Sequence, residues 1–350
     1  MPTLKDIAER VGVSISTVSR AISNDVTRPV SKETKRKVLE VASEIRYDIK
    51  EEQTPQAKNL QHHPSEKSIG CIMPQSFFDF HPYFTSVMSG FRKKMHELGH
   101  TPAFFMSMEE VGSPEYLRSL IRETGVKGIL AIAWYNKEQF EVLQEEGVRV
   151  VGVSLNYDSL SVPVVDCDRI SAARAAVRHL IAQGHTKIGY IGGPTFSKEL
   201  EGDERFLGYK YGMLEAGFGL NRSWIINTNW KVDMSYSLMS DMLVRLKEDE
   251  RPTAMFCASD VLAIPALRAT SEKGYRIPQD IAFVGMDDIE FAQYTSPPLT
   301  SVQVPKTQIG EVAAKTLVDY LEGHYSLPLK VLLPFELVLR ESSSFIKMEC

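Results

Sequence analysis

The stretch that most constrains this chain is Thr3–Ser23, TLKDIAERVGVSISTVSRAIS. It reads as two short helices joined by a tight turn. Thr3 caps the first helix, with Asp6 three residues on to close a capping box. Leu4, Ile7, Ala8 and Val11 share one helical face. Gly12 breaks the helix, and Ser14 caps a second one that turns Val18 and Ile22 inward. The small Ala8 lets the helices approach, Gly12 permits the turn, and Val18 locks the pair. The outward face of the second helix carries Ile15, Ser16, Thr17, Ser19 and Arg20. Short side chains, hydroxyls and one guanidinium suit entry into a major groove. A merely solvated polar face is the plain alternative.

Charge is distributed unevenly. Ten Lys/Arg against seven Asp/Glu give residues 1–50 a balance of +3, so the other 300 residues carry −8 of the net −5. A mildly basic head on an acidic body fits a small nucleic-acid contact. At 350 residues the chain is too long for one core and predicts two or three domains. Cys71, Cys167, Cys257 and Cys350 lie far apart with no metal spacing, so free thiols in a reducing cytoplasm are expected. The reading includes no metal and no cofactor. No signal peptide opens the sequence, and no apolar run is long enough to span a membrane. No nucleophile elbow, P-loop or HExxH string is found, and Gly189–Gly193 lacks the nucleotide-binding spacing, so no enzyme is expected.

Ser31 starts a third helix with Val38, Val41, Ala42 and Ile45 on one stripe, closing a headpiece near Tyr47. Residues 48–67 are polar, with Pro55, Pro64 and the pair His62-His63, and read as a linker. From Ser68 the pattern alternates short apolar runs with helices: SIGCIMP, TPAFFM, GILAIA, VRVVGVS, VPVVDCD, KIGYIGG, AMFCAS, IAFVGM and LTSVQV. That alternation predicts parallel sheets covered by helices on both faces.

The string G-V-S-x-x-T-V-S-R at Gly12–Arg20 resembles the N-terminal domain of the lactose-repressor/galactose-repressor (LacI/GalR) family of transcription factors. GHTKIGYIGGP, RFLGYKYGMLEAG, ASDVLAIPALRA, GYRIPQDIAFVGMDD and SPPLTSVQV look like further blocks of that family in the same order, so the resemblance covers essentially residues 2–343. It implies a small all-α helix-turn-helix headpiece (1–47) and a linker with a hinge helix (48–67). An effector-binding α/β core (68–350) of periplasmic-binding-protein type follows, with two parallel-sheet subdomains. The implied N-subdomain covers about 68–163 and 305–325, and the C-subdomain about 164–290 and 326–345, with chain crossings near 164, 290–305 and 325.

The family's functional residues carry over by position. Thr3, Ser14, Thr17, Ser19, Asn24 and Tyr47 would hold phosphates, and Ile15, Ser16 and Arg20 would read bases. Ala57-Lys58-Asn59-Leu60 matches the hinge pattern, with Leu60 as a minor-groove wedge. The linker before it is about four residues longer than the family norm, and Glu51 and Glu52 bring negative charge there. In the core the resemblance implies Arg205 and Asp287 as effector ligands, with Ser259 beside them. Trp230 would be a stacking platform, and Phe78 and Tyr83 would line the cleft from the other half. Ser154 and Leu155 stand where the family often has Asp and Arg. Three plain alternatives stay open: Arg205 pairing with Asp203 or Glu204 at the surface, Trp230 as core, and Asp288 in place of Asp287. The whole reads as a cytoplasmic homodimeric repressor of sugar-utilisation genes, binding pseudo-palindromic double-stranded operator DNA under control of a small sugar, a galactoside first. The lactose repressor's leucine heptad is missing after Arg340. The alternative is a corepressor design answering to a purine or a phosphorylated carrier protein.

Overall fold

The computed structural model describes residues 3–23, 30–44, 68–155, 161–195, 199–324 and 328–343. The chain divides into two compact units, Met1–His63 and Pro64–Cys350. Asn24, Ile45, Tyr47, Ala57 and Leu60 lie outside the described residues, as does the hinge helix expected at 57–60.

The first unit holds α1 (Leu4–Val11), α2 (Ile15–Ser23) and α3 (Lys32–Glu44). The capping box at Thr3 and Asp6 is present: the Thr3 amide and hydroxyl both donate to the Asp6 carboxylate, at 2.7 and 2.8 Å. Gly12 ends α1 at φ 75°, a left-handed conformation that glycine adopts without Cβ strain. The Thr17 amide donates to the Ser14 hydroxyl, and the Thr34 amide to the Ser31 hydroxyl, so both serines work as expected at their helix starts. Ile7, Ala8, Val18, Ala21, Val38 and Ala42 form one buried cluster.

The second unit contains two six-stranded sheets. The first joins β1 (Ser68–Met73), β2 (Phe104–Ser107), β3 (Val126–Ile132), β4 (Arg149–Val153), β5 (Val164–Cys167) and β11 (Lys330–Leu333) in the order β2-β1-β3-β4-β5-β11, all parallel. The second joins β6 (Ile188–Gly192), β7 (Ile225–Asn227), β8 (Ala254–Cys257), β9 (Ala282–Asp287), β10 (Thr300–Gln303) and β12 (Glu336–Val338) in the order β7-β6-β8-β9-β10-β12. Only β12 runs antiparallel there, against β10. The helices are α4 (Gln75–Phe80), α5 (Pro82–Glu97), α6 (Met108–Val111), α7 (Pro114–Thr124), α8 (Lys137–Glu145), α9 (Arg169–Ala182), α10 (Glu204–Glu215), α11 (Val232–Arg245), α12 (Asp260–Glu272) and α13 (Lys306–Leu321). The central strands are buried almost throughout, as parallel sheets with helices on their faces must be, while the edge strands β2, β7, β11 and β12 are less so.

Two of the three expected crossings move. Strand β5 belongs to the first sheet, since Gly152 pairs with Val164 and the whole of β5 pairs with β11. The chain therefore leaves the first half after Cys167, not at 164. Strand β11 also belongs to the first sheet, so the last crossing falls between Leu333 and Glu336 rather than near 325. The middle crossing lies between β10 and α13, which packs on α5, β3, β4 and β5 of the first half. Pro265 sits inside α12 without interrupting it.

Candidate functional site

On the first unit, α2 buries Val18 and Ala21 and leaves another face outward. Ile15 is 48% exposed, and Ser14 and Ser16 are exposed beside it. The Ser14 hydroxyl lies 2.8 Å from both the Ser16 and Thr17 hydroxyls, which gathers three hydroxyls at the start of α2. No acid occupies the first turn of this helix. A helix start lined with hydroxyls and without an acid favours a phosphate oxygen. Arg20 lies one turn beyond Ser16 on α2, and its side chain is outside the described part.

In the second unit the candidate residues collect at the carboxyl ends of the strands, where open α/β sheets hold ligands. Ser154 follows β4, Trp230 follows β7, Ser259 follows β8, and Asp287 ends β9. Non-glycine residues with left-handed backbone mark these ends: Ala133, Ser154, Asn229, Trp230, Asp287 and Asp288, with φ from 44° to 107°. Such conformations persist only where surrounding contacts enforce them, and they concentrate at binding sites.

Asp287 is 3% exposed. The Ser259 hydroxyl donates to it at 2.6 Å. Burial pushes its carboxyl above the usual range, while the Ser259 hydroxyl and the charges of Arg169, His81 and Lys306 pull it back. Asp288 is committed elsewhere: Arg340 donates to it at 2.7 Å and the Gln303 amide at 3.1 Å. Of the adjacent pair, Asp287 is thus the one whose carboxylate has no cationic side chain bonded to it among the described residues. Asp260 is buried behind them, accepting from the Ser301 hydroxyl at 2.6 Å and the Ile289 amide at 2.9 Å, and burial with the nearby Asp287 charge pushes it up.

Trp230 is half-buried and packs on the core without joining it fully. Its indole N–H donates to the Pro194 carbonyl at 2.8 Å, which fixes the ring plane. The Arg205 guanidinium sits over that ring, 4.9 Å from a ring centroid. Arg205 donates to Asp203 at 3.1 Å, and its Nε is buried without a partner. The Arg205–Asp203 pair does form, but not at the surface, for Asp203 is buried. Desolvation raises Asp203 to about 7, against the Phe206 amide and the Arg169 charge, which lower it.

Tyr83 is buried at the start of α5, and its hydroxyl accepts from Arg169 at 3.1 Å. Phe78 lies on α4, and its side chain is outside the described part. Its neighbour Phe77 stacks on Phe84 at 3.9 Å, with His81 set edge-on against Phe77.

Sequence reasoning missed Arg169, which is 4% exposed and reaches Asp166, Tyr83 and Ser154 at once. Ser154 accepts from it at 2.7 Å, so a guanidinium stands at this strand end although position 155 is a core leucine. The available signal was D-C-D-R, a carboxylate three residues ahead of an arginine at a strand end. His81 was missed too. Its Nδ1 is buried without a partner. Burial lowers its pKa, against the raising effect of the Asp287 charge. At the far end of α13, Asp319, Glu322 and His324 bring ligand atoms within 4.8 Å of one another, with Lys315 already paired to Asp319.

Among the described residues no helix is long and apolar enough to cross a membrane. Residues 3–48 match the family model of bacterial regulatory proteins, lacI family, and residues 177–343 match a periplasmic binding protein-like domain. The chain is 29% identical over 324 residues to the HTH-type transcriptional repressor PurR of Aliivibrio fischeri (strain ATCC 700601 / ES114), with 92% of each chain covered. It is 29% identical over 345 residues to the repressor of that name from Escherichia coli O139:H28, covering 98% of this chain and 97% of the other. A solved transcriptional regulator CelR–cellobiose complex is 29% identical with a TM-score of 0.69, covering 98% of this chain and all of that one. The lac repressor dimer bound to operator and the anti-inducer ONPF shares the fold at TM-score 0.68 and 22% identity, over 98% of this chain and 99% of that one. The chain is a DNA-binding transcriptional regulator of the lacI family, with a helix-turn-helix head and a periplasmic-binding-protein-like effector core.

Proposed function

We propose that this regulator is a cytoplasmic homodimeric repressor whose grip on a near-palindromic operator is set by a small sugar. The observation that carries the sugar reading is the set at the strand ends of the second sheet. An indole with a fixed plane, a guanidinium above it and a buried carboxylate with a hydroxyl donor together suit a ring of C–H faces and paired hydroxyls. Arg205, Trp230, Asp287 and Ser259 would hold the effector. Tyr83 and Ser154, joined through Arg169, would support it from the first half. The solved cellobiose complex of a relative adds a disaccharide to the galactosides worth testing. To shift operator occupancy the sugar must prefer one state of the core, and a coupling of ~1–3 kcal/mol is typical.

The test is calorimetric titration of the purified chain with cellobiose, lactose, galactose, guanine and hypoxanthine. One sugar should bind, and Trp230→Ala should weaken it about tenfold or more. A purine that binds while every sugar fails would replace the sugar reading. That second reading, a corepressor design, draws its weight from the relatives named PurR.

For the head, Ile15, Ser16 and Arg20 would read bases while Thr3, Ser14, Thr17, Ser19, Asn24 and Tyr47 hold phosphates, with Ala57 and Leu60 in the hinge. Arg20→Ala is expected to weaken operator binding by ~1–3 kcal/mol while sugar binding stays unchanged. Fluorescence anisotropy at matched salt checks this, and equal operator affinity would remove Arg20 from the interface.

A further inference from the structure

Lys306 is the first residue of α13. A lysine is badly placed there, because the start of a helix carries partial positive charge. No acid occupies the first turn to compensate. Among the described residues no carboxylate forms an ion pair with it. Its ammonium instead donates to backbone carbonyls: those of Asp287 and Asp288, the latter at 2.9 Å, and more distantly that of Val304 at 3.5 Å.

Asp287 and Asp288 are adjacent residues that both have left-handed backbone, at φ 107° and 47°. Each could relax toward ordinary φ if nothing held it. Among the described residues three side chains bond the backbone of this segment. The Ser301 hydroxyl accepts from the Asp288 amide at 3.1 Å, and Asp260 accepts from the Ile289 amide at 2.9 Å. Both of those belong to the second half. Lys306 alone of the three comes from an element packed on the first half, since α13 lies against α5, β3, β4 and β5. Helix α5 in turn carries Tyr83, and His81 directly precedes it without a side-chain capping bond. Through Lys306 the start of α13, packed on the first half, is thus bonded directly to the Asp287 loop of the second half.

We propose that Lys306 is a positioning residue for the Asp287 carboxylate, holding its strained backbone and tying it to α13 of the opposite half. This rests on the reading that Asp287 faces the effector. The charged and titratable groups that interact with Asp287 include Arg169, His81, Asp260, Lys306, Tyr83 and Cys167. Lys306 acts on the backbone of this loop and is not itself placed against the effector.

The experiment compares the full-length chain with Lys306→Met and Lys306→Arg. Hydrogen exchange, followed by mass spectrometry without ligand, should be at least tenfold faster over 286–290 in Lys306→Met, with the first sheet unchanged. Lys306→Arg should stay within threefold of the parent. Cellobiose affinity by calorimetry should fall at least tenfold in Lys306→Met and be largely kept in Lys306→Arg. Unchanged exchange over 286–290 would overturn the proposal. So would faster exchange spread through α13 and the first sheet, which would make Lys306 a general staple. If the parent chain fails to bind cellobiose, that result counts only against cellobiose as the effector, and the exchange arm still decides on Lys306.

Discussion

Replacing Gly310 by alanine is expected to destabilise the core by about 3 kcal/mol, lowering its melting temperature by roughly 6–12 °C. In an exposed helix interior the same change would gain about 1 kcal/mol, because alanine is the better helix former. Here packing decides the sign. A Cβ on Gly310 would stand 1.9 Å from the Val87 carbonyl oxygen and 2.7 Å from the Phe91 amide nitrogen. A Cβ on Gly90 would stand 2.0 Å from the Thr307 carbonyl oxygen. The obstacles are backbone atoms of the facing helix, so no rotamer change relieves them. Helices α5 and α13 must move apart, and the apolar contacts of Val87, Phe91, Ile309 and Ala313 loosen with them. Gly219→Ala serves as the control, since nothing lies within 4 Å of its added Cβ. Calorimetric melting of the three chains checks this. A Gly310→Ala protein that melts with the parent would mean the two helices do not cross this closely.

Arg169→Ala is expected to cost ~3–5 kcal/mol, because it leaves Asp166 as a buried charge without its partner. Asp166 is fully buried, and Arg169 reaches its two oxygens with Nε at 3.1 and 3.2 Å and with a terminal nitrogen at 2.9 Å. Arg169→Lys should recover only part of the loss, as an ammonium lacks that fork. The double change Asp166→Asn with Arg169→Met removes both charges and should be milder than Arg169→Ala alone, by denaturant unfolding. A second consequence reaches the effector site proposed around Asp287. The Arg169 charge helps keep Asp287 ionised. Without it the Asp287 carboxyl takes up its proton at higher pH, so effector binding should fail at a higher pH than in the parent. Equal pH profiles would separate Arg169 from the site.

The head was legible because its signals are local. A capping box, a left-handed glycine and an i, i+4 stripe all act within one or two turns, and Thr3, Gly12 and Val18 sit where those rules put them. The strand–helix alternation was legible for the same reason. Which sheet a strand joins is a different matter. The residues of β5, VVDC, are equally apolar for either half, and only pairing with β4 and with β11, far along the chain, assigns them. The site divides along the same line. Arg205, Trp230, Ser259 and Asp287 lie in recognisable strings. Arg169 meets Tyr83 across 86 positions of sequence, and no local pattern announces that bond. The choice of Asp287 over Asp288 also needed a distant residue, Arg340.

The order of the elements bears on how the chain is made. The second sheet, apart from its edge β12, comes from one continuous run between β6 and β10. The first sheet begins at Ser68, yet the helix that covers it, α13, starts only at Lys306, and its edge strand β11 only at Lys330. On a ribosome the older half of the core therefore waits, with the faces of β3 and β4 that α13 covers still open, while the younger half completes itself. A chain released before α13 is made is expected to lose its first subdomain before its second.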